Sequence, residues 1–225
     1  MGKSLRKTGV VSVLLVVLGW LFWQTVQDSL SEPFVIEPGL VAEWRLTLRG
    51  PMQSGAGLLT LQPTDQLRAE LFQQIFTRTM ESMTSPVEAS MPIVLHSEYR
   101  DTLGRVFSPD DLLAAAEEAG LSNVTPMPVC IGVVREAVVG ASRQLYFALF
   151  DSPEVDRFRQ DLARGYADAD GETSFDHGEL ALAVPIAGSD GDFASWWPLD
   201  VRTETDCQAP LTAGGASTGQ QPQAE

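Results

Sequence analysis

The feature that most constrains this chain is an apolar segment close to its N-terminus. The eighteen residues from Gly9 to Val26 include no charged side chain. As an α-helix they would extend about 27 Å, close to the ~30 Å hydrocarbon core of a bilayer. The sequence therefore predicts a single N-terminal transmembrane helix, residues 9–26, that lies in the lipid bilayer.

The residues around this segment predict its orientation. Lys3, Arg6 and Lys7 precede it, whereas Trp20 and Trp23 lie toward its other end. Cationic side chains favour the cytoplasmic side of a membrane, and indole rings favour the membrane–water interface. We therefore expect these five side chains at the membrane interfaces. The N-terminus would then be cytoplasmic, and the rest of the chain extracytoplasmic, in the periplasm of a Gram-negative cell.

A cleaved signal peptide is the alternative interpretation. Ser29 and Ser31 would provide small residues at the −3 and −1 positions of a cut before Glu32. The apolar segment is longer than the roughly 7–15 residues that are usual in signal peptides, which favours an uncleaved anchor. Both interpretations place the remaining chain outside the cytoplasm.

The charge balance excludes one class of partner. Acidic residues outnumber basic ones 30 to 15, and beyond the first seven positions 12 arginines stand against the 30 acids, a net charge of −18. A body this acidic would be repelled by phosphate backbones, so we expect no nucleic-acid partner. The hydrophobic content of 44% is typical of a folded domain.

The sequence contains two cysteines, Cys130 and Cys207. An even pair outside the cytoplasm predicts a disulfide bond, and two buried free thiols are the alternative. The bond would stabilise the domain by about 4 kcal/mol in the loop-entropy model. The motifs CxxC and CxxCH are absent, so the cysteines predict neither a redox pair nor covalently attached haem.

Composition divides the chain into five parts. We predict a cytoplasmic N-terminus (1–8), the membrane helix (9–26), a juxtamembrane linker (27–39), an extracytoplasmic domain (40–207) and a low-complexity tail (208–225). Apart from Leu211 the tail carries no large apolar side chain, and it is expected to be flexible on its own.

The apolar patterning of the extracytoplasmic part predicts an α+β domain. The apolar periodicity of residues 65–83 predicts a helix with six large side chains on one side, Leu67, Leu71, Phe72, Ile75, Phe76 and Met80. Helix-start signals at Ser108 and Ser152 predict two more helices, and the second is expected to end at Gly165. Alternating or continuous apolar runs predict strands at 40–49, 58–61, 91–99, 104–107, 128–139, 144–150, 179–187 and an edge segment at 196–199. We expect these to form a mixed or antiparallel sheet of about six or seven strands.

The sequence predicts no catalytic, cofactor-binding or metal-binding residue. A serine hydrolase would need His96 or His177, yet the GxSxG motif is absent. The acidic loop 168–176 resembles a calcium loop but lacks the required ligands at both of its end positions. An improvised weak calcium site there is an alternative to a solvated turn.

The adjacent residues Trp196 and Trp197 are the candidate partner contact. Neighbouring side chains of an extended segment point to opposite sides, so one indole is expected to be exposed as an interface anchor. Packing at the edge of the sheet is the alternative.

Together these features predict a non-catalytic, single-pass membrane protein. We expect an accessory or scaffolding subunit of a larger membrane complex, whose other subunits are its partners. Energy-converting complexes, photosynthetic or respiratory, are the suggested hosts. We expect no cofactor, because the membrane segment carries no histidine or ionisable side chain. The alternatives are a membrane-tethered cell-envelope enzyme and a small-ligand-binding sensor domain.

Overall fold

A computed structural model describes residues 32–50, 57–138, 140–170, 175–178 and 180–214, together with Val17 and Trp20. The chain divides into two units, residues 1–32 and 33–225. In the first unit Val17 and Trp20 are helical with exposed side chains.

None of the helices in the described part of the chain is both long and apolar enough to cross a membrane. The predicted membrane helix at 9–26 lies outside the described residues except for Val17 and Trp20, as do Lys3, Arg6, Lys7 and Trp23.

The second unit is an α+β domain, as predicted. Within the described residues its strands are β1 (Phe34–Ile36), β2 (Trp44–Leu48), β3 (Gly57–Pro63), β4 (Met91–Leu95), β5 (Met127–Val138), β6 (Ala141–Asp151), β7 (Ala183–Gly188) and β8 (Cys207–Ala213). Its α-helices are α1 (Pro38–Val41), α2 (Asp65–Thr79), α3 (His96–Asp101), α4 (Pro109–Glu118), α5 (Pro153–Asp170) and α6 (Thr203–Asp206).

The described strands form two sheets rather than the single sheet that we expected. A five-stranded sheet has the order β1-β8-β5-β6-β7, and a three-stranded sheet has the order β2-β3-β4. Strand β1 runs parallel to β8, and all the other pairs are antiparallel. Residue patterns locate strands but do not encode which strands pair, so the division into two sheets has no local signature.

The large sheet extends beyond both predicted boundaries of the domain. Phe34 and Ile36 lie in the predicted linker, yet their side chains are buried. Strand β8 continues into the predicted tail, where Ala209 and Leu211 are also buried. Phe34 is paired with Leu211 across the parallel ladder. The flexible-tail prediction is therefore corrected for residues 208–213.

The start of α4 follows the predicted capping chemistry, and the structure shows a similar cap before α2. Before α4, the Ser108 hydroxyl accepts a hydrogen bond from the Asp111 backbone N–H, and the Asp111 carboxylate accepts one from the Ser108 backbone N–H. Before α2, the Thr64 hydroxyl accepts from the Leu67 backbone N–H. Each cap satisfies a backbone donor that has no partner within its helix.

Helix α5 does not end at Gly165, where a glycine was expected to terminate it, but continues to Asp170. A Cβ built at Gly165 would lie 3.3 Å from the Phe107 ring. The glycine therefore serves close packing between a helix and an aromatic ring rather than the end of the helix.

Three predicted strands are also corrected. The first, 40–49, is limited to residues 44–48, because residues 38–41 form α1. The segment predicted at 91–99 leaves the sheet after Leu95 and forms α3. The pattern at 104–107 falls within a 3₁₀ turn and the residues after it. Short apolar runs do not distinguish a strand from a buried turn.

Candidate functional site

A cleft of about 820 Å³ lies between the small sheet and the segment that follows β7. Its lining comes from all three strands of the small sheet, from the loop before β4, from β7 and from residues after β7. The lining residues are Thr47, Arg49, Gly57, Gln62, Pro86, Val87, Glu88, Ser90, Pro92, Pro185, Gly191, Asp192, Phe193, Ala194 and Trp197.

Strand periodicity places the polar wall of the cleft. Thr47 and Arg49 are two residues apart and therefore lie on the same side of the chain. The intervening Leu48 packs against the hydrophobic core, as does Leu46. The small sheet thus presents its polar side chains to the cleft and its leucines to the core.

Backbone pairing at one edge positions the other walls. The Thr84 N–H donates to the Gly188 carbonyl at 2.8 Å, and the Gly188 N–H donates back at 2.9 Å. This pair fixes the chain before residues 86–90 against the end of β7. The loop carrying Glu88 and the segment carrying Trp197 are thereby held around the same cleft.

Arg49 is the cation of the cleft lining, and only 7% of the residue is exposed. Its Nη2 lies 3.1 Å from Oε2 of Glu88, whose side chain is 62% exposed. The charge of the Arg49 guanidinium is therefore buried, whereas the carboxylate of Glu88 lies mostly in water. Burial lowers the pKa of His96, and the charge of Arg49 lowers it further.

The wall formed by the segment after β7 is aromatic, because Phe193 and the half-buried Trp197 line it. Pro185 of β7 and Pro92 of β4 add rigid apolar surface to the cleft. The cleft thus combines apolar surface with six polar or charged lining residues, Thr47, Arg49, Gln62, Glu88, Ser90 and Asp192. Apart from Trp197, which the sequence singled out as a candidate partner contact, the cleft residues were missed, because they come from segments far apart in the chain.

The predicted tryptophan pair is divided between two environments. Trp196 is buried beside Phe147 and Leu199, and the Arg143 guanidinium lies 4.4 Å from the centre of its indole. Trp197 lines the cleft. Neither ring is largely exposed, because Phe193–Trp196 forms a 3₁₀ turn instead of the expected edge strand. Their role as a partner contact stays a prediction.

The predicted disulfide between Cys130 and Cys207 is confirmed. The two residues lie on neighbouring strands, β5 and β8, with their Cα atoms 5.7 Å apart. The bond closes a sequence separation of 77 residues. It lies within the small hydrophobic cluster that also contains Trp196.

A buried arginine that the sequence did not indicate lies elsewhere in the domain. Arg159 of α5 is 1% exposed and donates five hydrogen bonds. Two reach the carboxylate of Glu98, and the others reach the carbonyls of Ile93, Asp176 and His177. Because all five N–H donors are paired, this residue joins α5 to β4 and α3 as a structural element.

Helix α2 and the residue that follows it carry an apolar face, which we define by Phe72, Phe76 and Met80. Phe72 is half-buried against the core, whereas the other two side chains are exposed. The two phenyl rings stack with centroids 6.4 Å apart. Phe76 is 41% exposed and Met80 is 77% exposed. The sequence pattern grouped these residues with the core stripe of Leu67, Leu71 and Ile75, whereas the structure buries only the stripe.

Among the described residues no group of three or more histidine, cysteine or acidic side chains could hold a metal ion. The acidic loop 168–176 lies partly outside those residues. Comparisons with protein-family models, with curated proteins and with solved structures find no match to this chain.

Proposed function

We propose that this chain is a non-catalytic, single-pass membrane protein that acts as an accessory or scaffolding subunit of a larger membrane complex. The observation that carries the proposal is the apolar face of α2. Residues 9–26 would anchor the chain, and the α+β domain would bind a neighbouring subunit outside the cytoplasm.

The apolar face of α2 has the composition of a protein interface. Stacked Phe72 and Phe76 offer a rigid aromatic surface, and aromatic side chains dominate the binding energy of many interfaces. Met80 adds a flexible, polarisable side chain that adapts to a partner's shape. Covering Phe76 and Met80 would remove their apolar surface from water, which favours association.

The disulfide bond supports the proposed extracytoplasmic location, and the net charge indicates what kind of partner the domain would bind. A disulfide persists in oxidising compartments, in agreement with a domain outside the cytoplasm. Beyond its first seven residues the chain carries a net charge of −18. A partner with an apolar contact patch and a basic rim would therefore associate fastest and discriminate best against other acidic proteins.

The test begins with the full chain, tagged and extracted in mild detergent. A native gel separates its assemblies, and mass spectrometry identifies the proteins in each band. We expect the tagged chain in a large band with the same defined partners in every preparation. A single band at the monomer mass would refute the accessory-subunit proposal.

A pair of matched variants tests the contact surface. Phe76→Gln with Met80→Lys makes the α2 face polar and should release the chain from the large band. Met127→Lys with Val138→Gln changes a methionine and a second exposed apolar residue on β5, and should leave the assembly intact. Equal loss of assembly in both double variants would contradict a contact through α2.

A further inference from the structure

The cleft has the size of a small-molecule site. Its volume of about 820 Å³ falls within the roughly 300–1,000 Å³ of clefts that enclose organic ligands. Its polar side chains converge from β2, β3 and the loop before β4, whereas its aromatic side chains come from the segment after β7. A ligand that fills it would therefore have a polar end and an apolar end.

Arg49 is suited to bind the polar end. Burial holds its side chain in place, whereas the carboxylate of Glu88 lies mostly in solvent. Glu88 can turn outward at little cost, since water already surrounds most of its side chain. A carboxylate that enters the cleft can then replace Glu88 on the guanidinium, which binds carboxylates through paired N–H···O bonds.

Thr47 adds a second polar group beside Arg49. Its Oγ1 is buried and has no hydrogen-bond partner among the described residues. A buried hydroxyl without a partner is costly, and a ligand oxygen would satisfy it. A rotation of the Thr47 side chain toward the cleft would let its hydroxyl donate to a carboxylate that Arg49 binds.

The remaining lining restricts the ligand class. Phe193 and Trp197 suit a flat apolar or aromatic body. Glu88 and Asp192 also line the cleft, so a dianion or polyanion such as phosphate would meet like charges. A single negative charge on an apolar body fits both conditions.

We infer that this cleft binds a small monocarboxylate with an aromatic or apolar body, whose carboxylate contacts Arg49 and whose body contacts Phe193 and Trp197. The inference does not rest on the accessory-subunit proposal, because the α2 face and the cleft share no lining residue.

The experiment uses the full chain in detergent and ligand-observed fluorine NMR. The probe is 4-fluorophenylacetate, and 4-fluorophenylacetamide is its uncharged counterpart of nearly equal shape. The amide should bind about 10- to 100-fold more weakly, the range expected for losing a charge-assisted hydrogen bond to arginine. Equal affinities for the acid and the amide would overturn the inference, as would the absence of binding at millimolar probe.

Variants of Arg49, which directly follows β2, and of Arg45, which lies on β2, assign the contact. Arg49→Gln should weaken binding of the acid about 10- to 100-fold and leave binding of the amide unchanged. Arg45→Gln makes the same charge change at an exposed position on β2 and should bind like the wild type. Unchanged binding in Arg49→Gln would exclude Arg49 as the anchor.

Two further variants keep the test decisive if Arg49→Gln fails to fold. Ala194→Trp places a large ring at an exposed position of the cleft lining and should abolish binding. Glu88→Gln removes the competing carboxylate and should strengthen binding several-fold. Full binding in Ala194→Trp, or weaker binding in Glu88→Gln, would contradict the proposed site.

Competition identifies the source of the carboxylate. A tripeptide ending in phenylalanine, with a free or an amidated C-terminus, is titrated against the bound probe. Displacement by the free acid alone, at lower concentration than phenylacetate needs, would support the inference and assign the carboxylate to a polypeptide C-terminus. Displacement by phenylacetate alone would support a free organic acid. Displacement by inorganic phosphate at equal concentration would overturn the monocarboxylate class.

Discussion

The side chain of Gln74 exchanges two hydrogen bonds with the backbone of Val35. Its amide nitrogen donates to the Val35 carbonyl at 2.7 Å, and its amide oxygen accepts from the Val35 N–H at 3.3 Å. Strand β1 is an edge of the five-stranded sheet. Helix α2 therefore satisfies backbone groups that an exposed edge would otherwise offer to another chain.

Gln74→Ala should loosen this edge. We expect the free energy of unfolding to fall by about 1 kcal/mol, because two partly solvated hydrogen bonds are lost. Hydrogen exchange of the Val35 amide should accelerate more than exchange within β5 or β6. Among the described residues, the side chain of the neighbouring exposed Gln73 bonds to Thr77 within the helix, so Gln73→Ala is the matched control. Equal exchange at Val35 in both variants would show that Gln74 does not protect the edge.

Removing the disulfide should lower stability substantially. For Cys130→Ala with Cys207→Ala we expect a loss of about 4 kcal/mol, because the unfolded chain regains the freedom of a loop of 77 residues. Urea titrations of the variant and the wild type measure the difference. An unshifted midpoint would contradict this contribution.

Glu98→Ala should be among the most destabilising single substitutions of the domain. It leaves the buried guanidinium of Arg159 without its counter-ion, a change that costs about 3–5 kcal/mol. Thermal and urea unfolding measure the loss. Asp101→Ala breaks the exposed pair with Arg100 and should have little effect. Similar losses in the two variants would contradict the importance of burial.

His96 should make stability fall on acidification. Its folded pKa lies below 6.5, because burial and the charge of Arg49 both disfavour the imidazolium. The unfolded chain takes up a proton as the pH falls through 6.5, whereas the folded chain takes it up only at lower pH. Stability is therefore fully present above 6.5 and declines below it.

Thermal unfolding at about pH 7.5 and pH 5.5 tests this dependence. The decrease in Tm should be smaller in His96→Gln than in the wild type. His177→Gln, which alters the other histidine at an exposed site, is the matched control. The same decrease in all three proteins would assign the effect to other groups.

Local chemistry made part of this fold predictable. The caps at Thr64 and Ser108, the long apolar strands of the β5–β6 pair and the cysteine pair all leave signals within a few residues or in the count of a residue type. Strand β1 and the end of β8 were missed, because β1 has only three residues and β8 consists mainly of small and polar residues, so neither shows a clear strand pattern.

The candidate sites were hardly predictable for a different reason. Arg49, Glu88 and Trp197 meet only through the arrangement of two sheets, and no spacing in the sequence relates them. Arg159 was hidden because burial of a guanidinium depends on partners from β4 and α3. The exposure of Phe76 also depends on what packs against α2, which a helical periodicity does not specify.

The position of β8 has a consequence for how the domain assembles during synthesis. This strand lies between β1 and β5 in the large sheet, yet it follows every other described element along the chain. Phe34 has no strand partner until Leu211 has been synthesised. A nascent chain that stops before Cys207 holds two strand edges facing a gap, vulnerable to pairing with other chains. Completion of the sheet therefore requires that residues 207–213 have been synthesised, and it joins the two ends of the described domain.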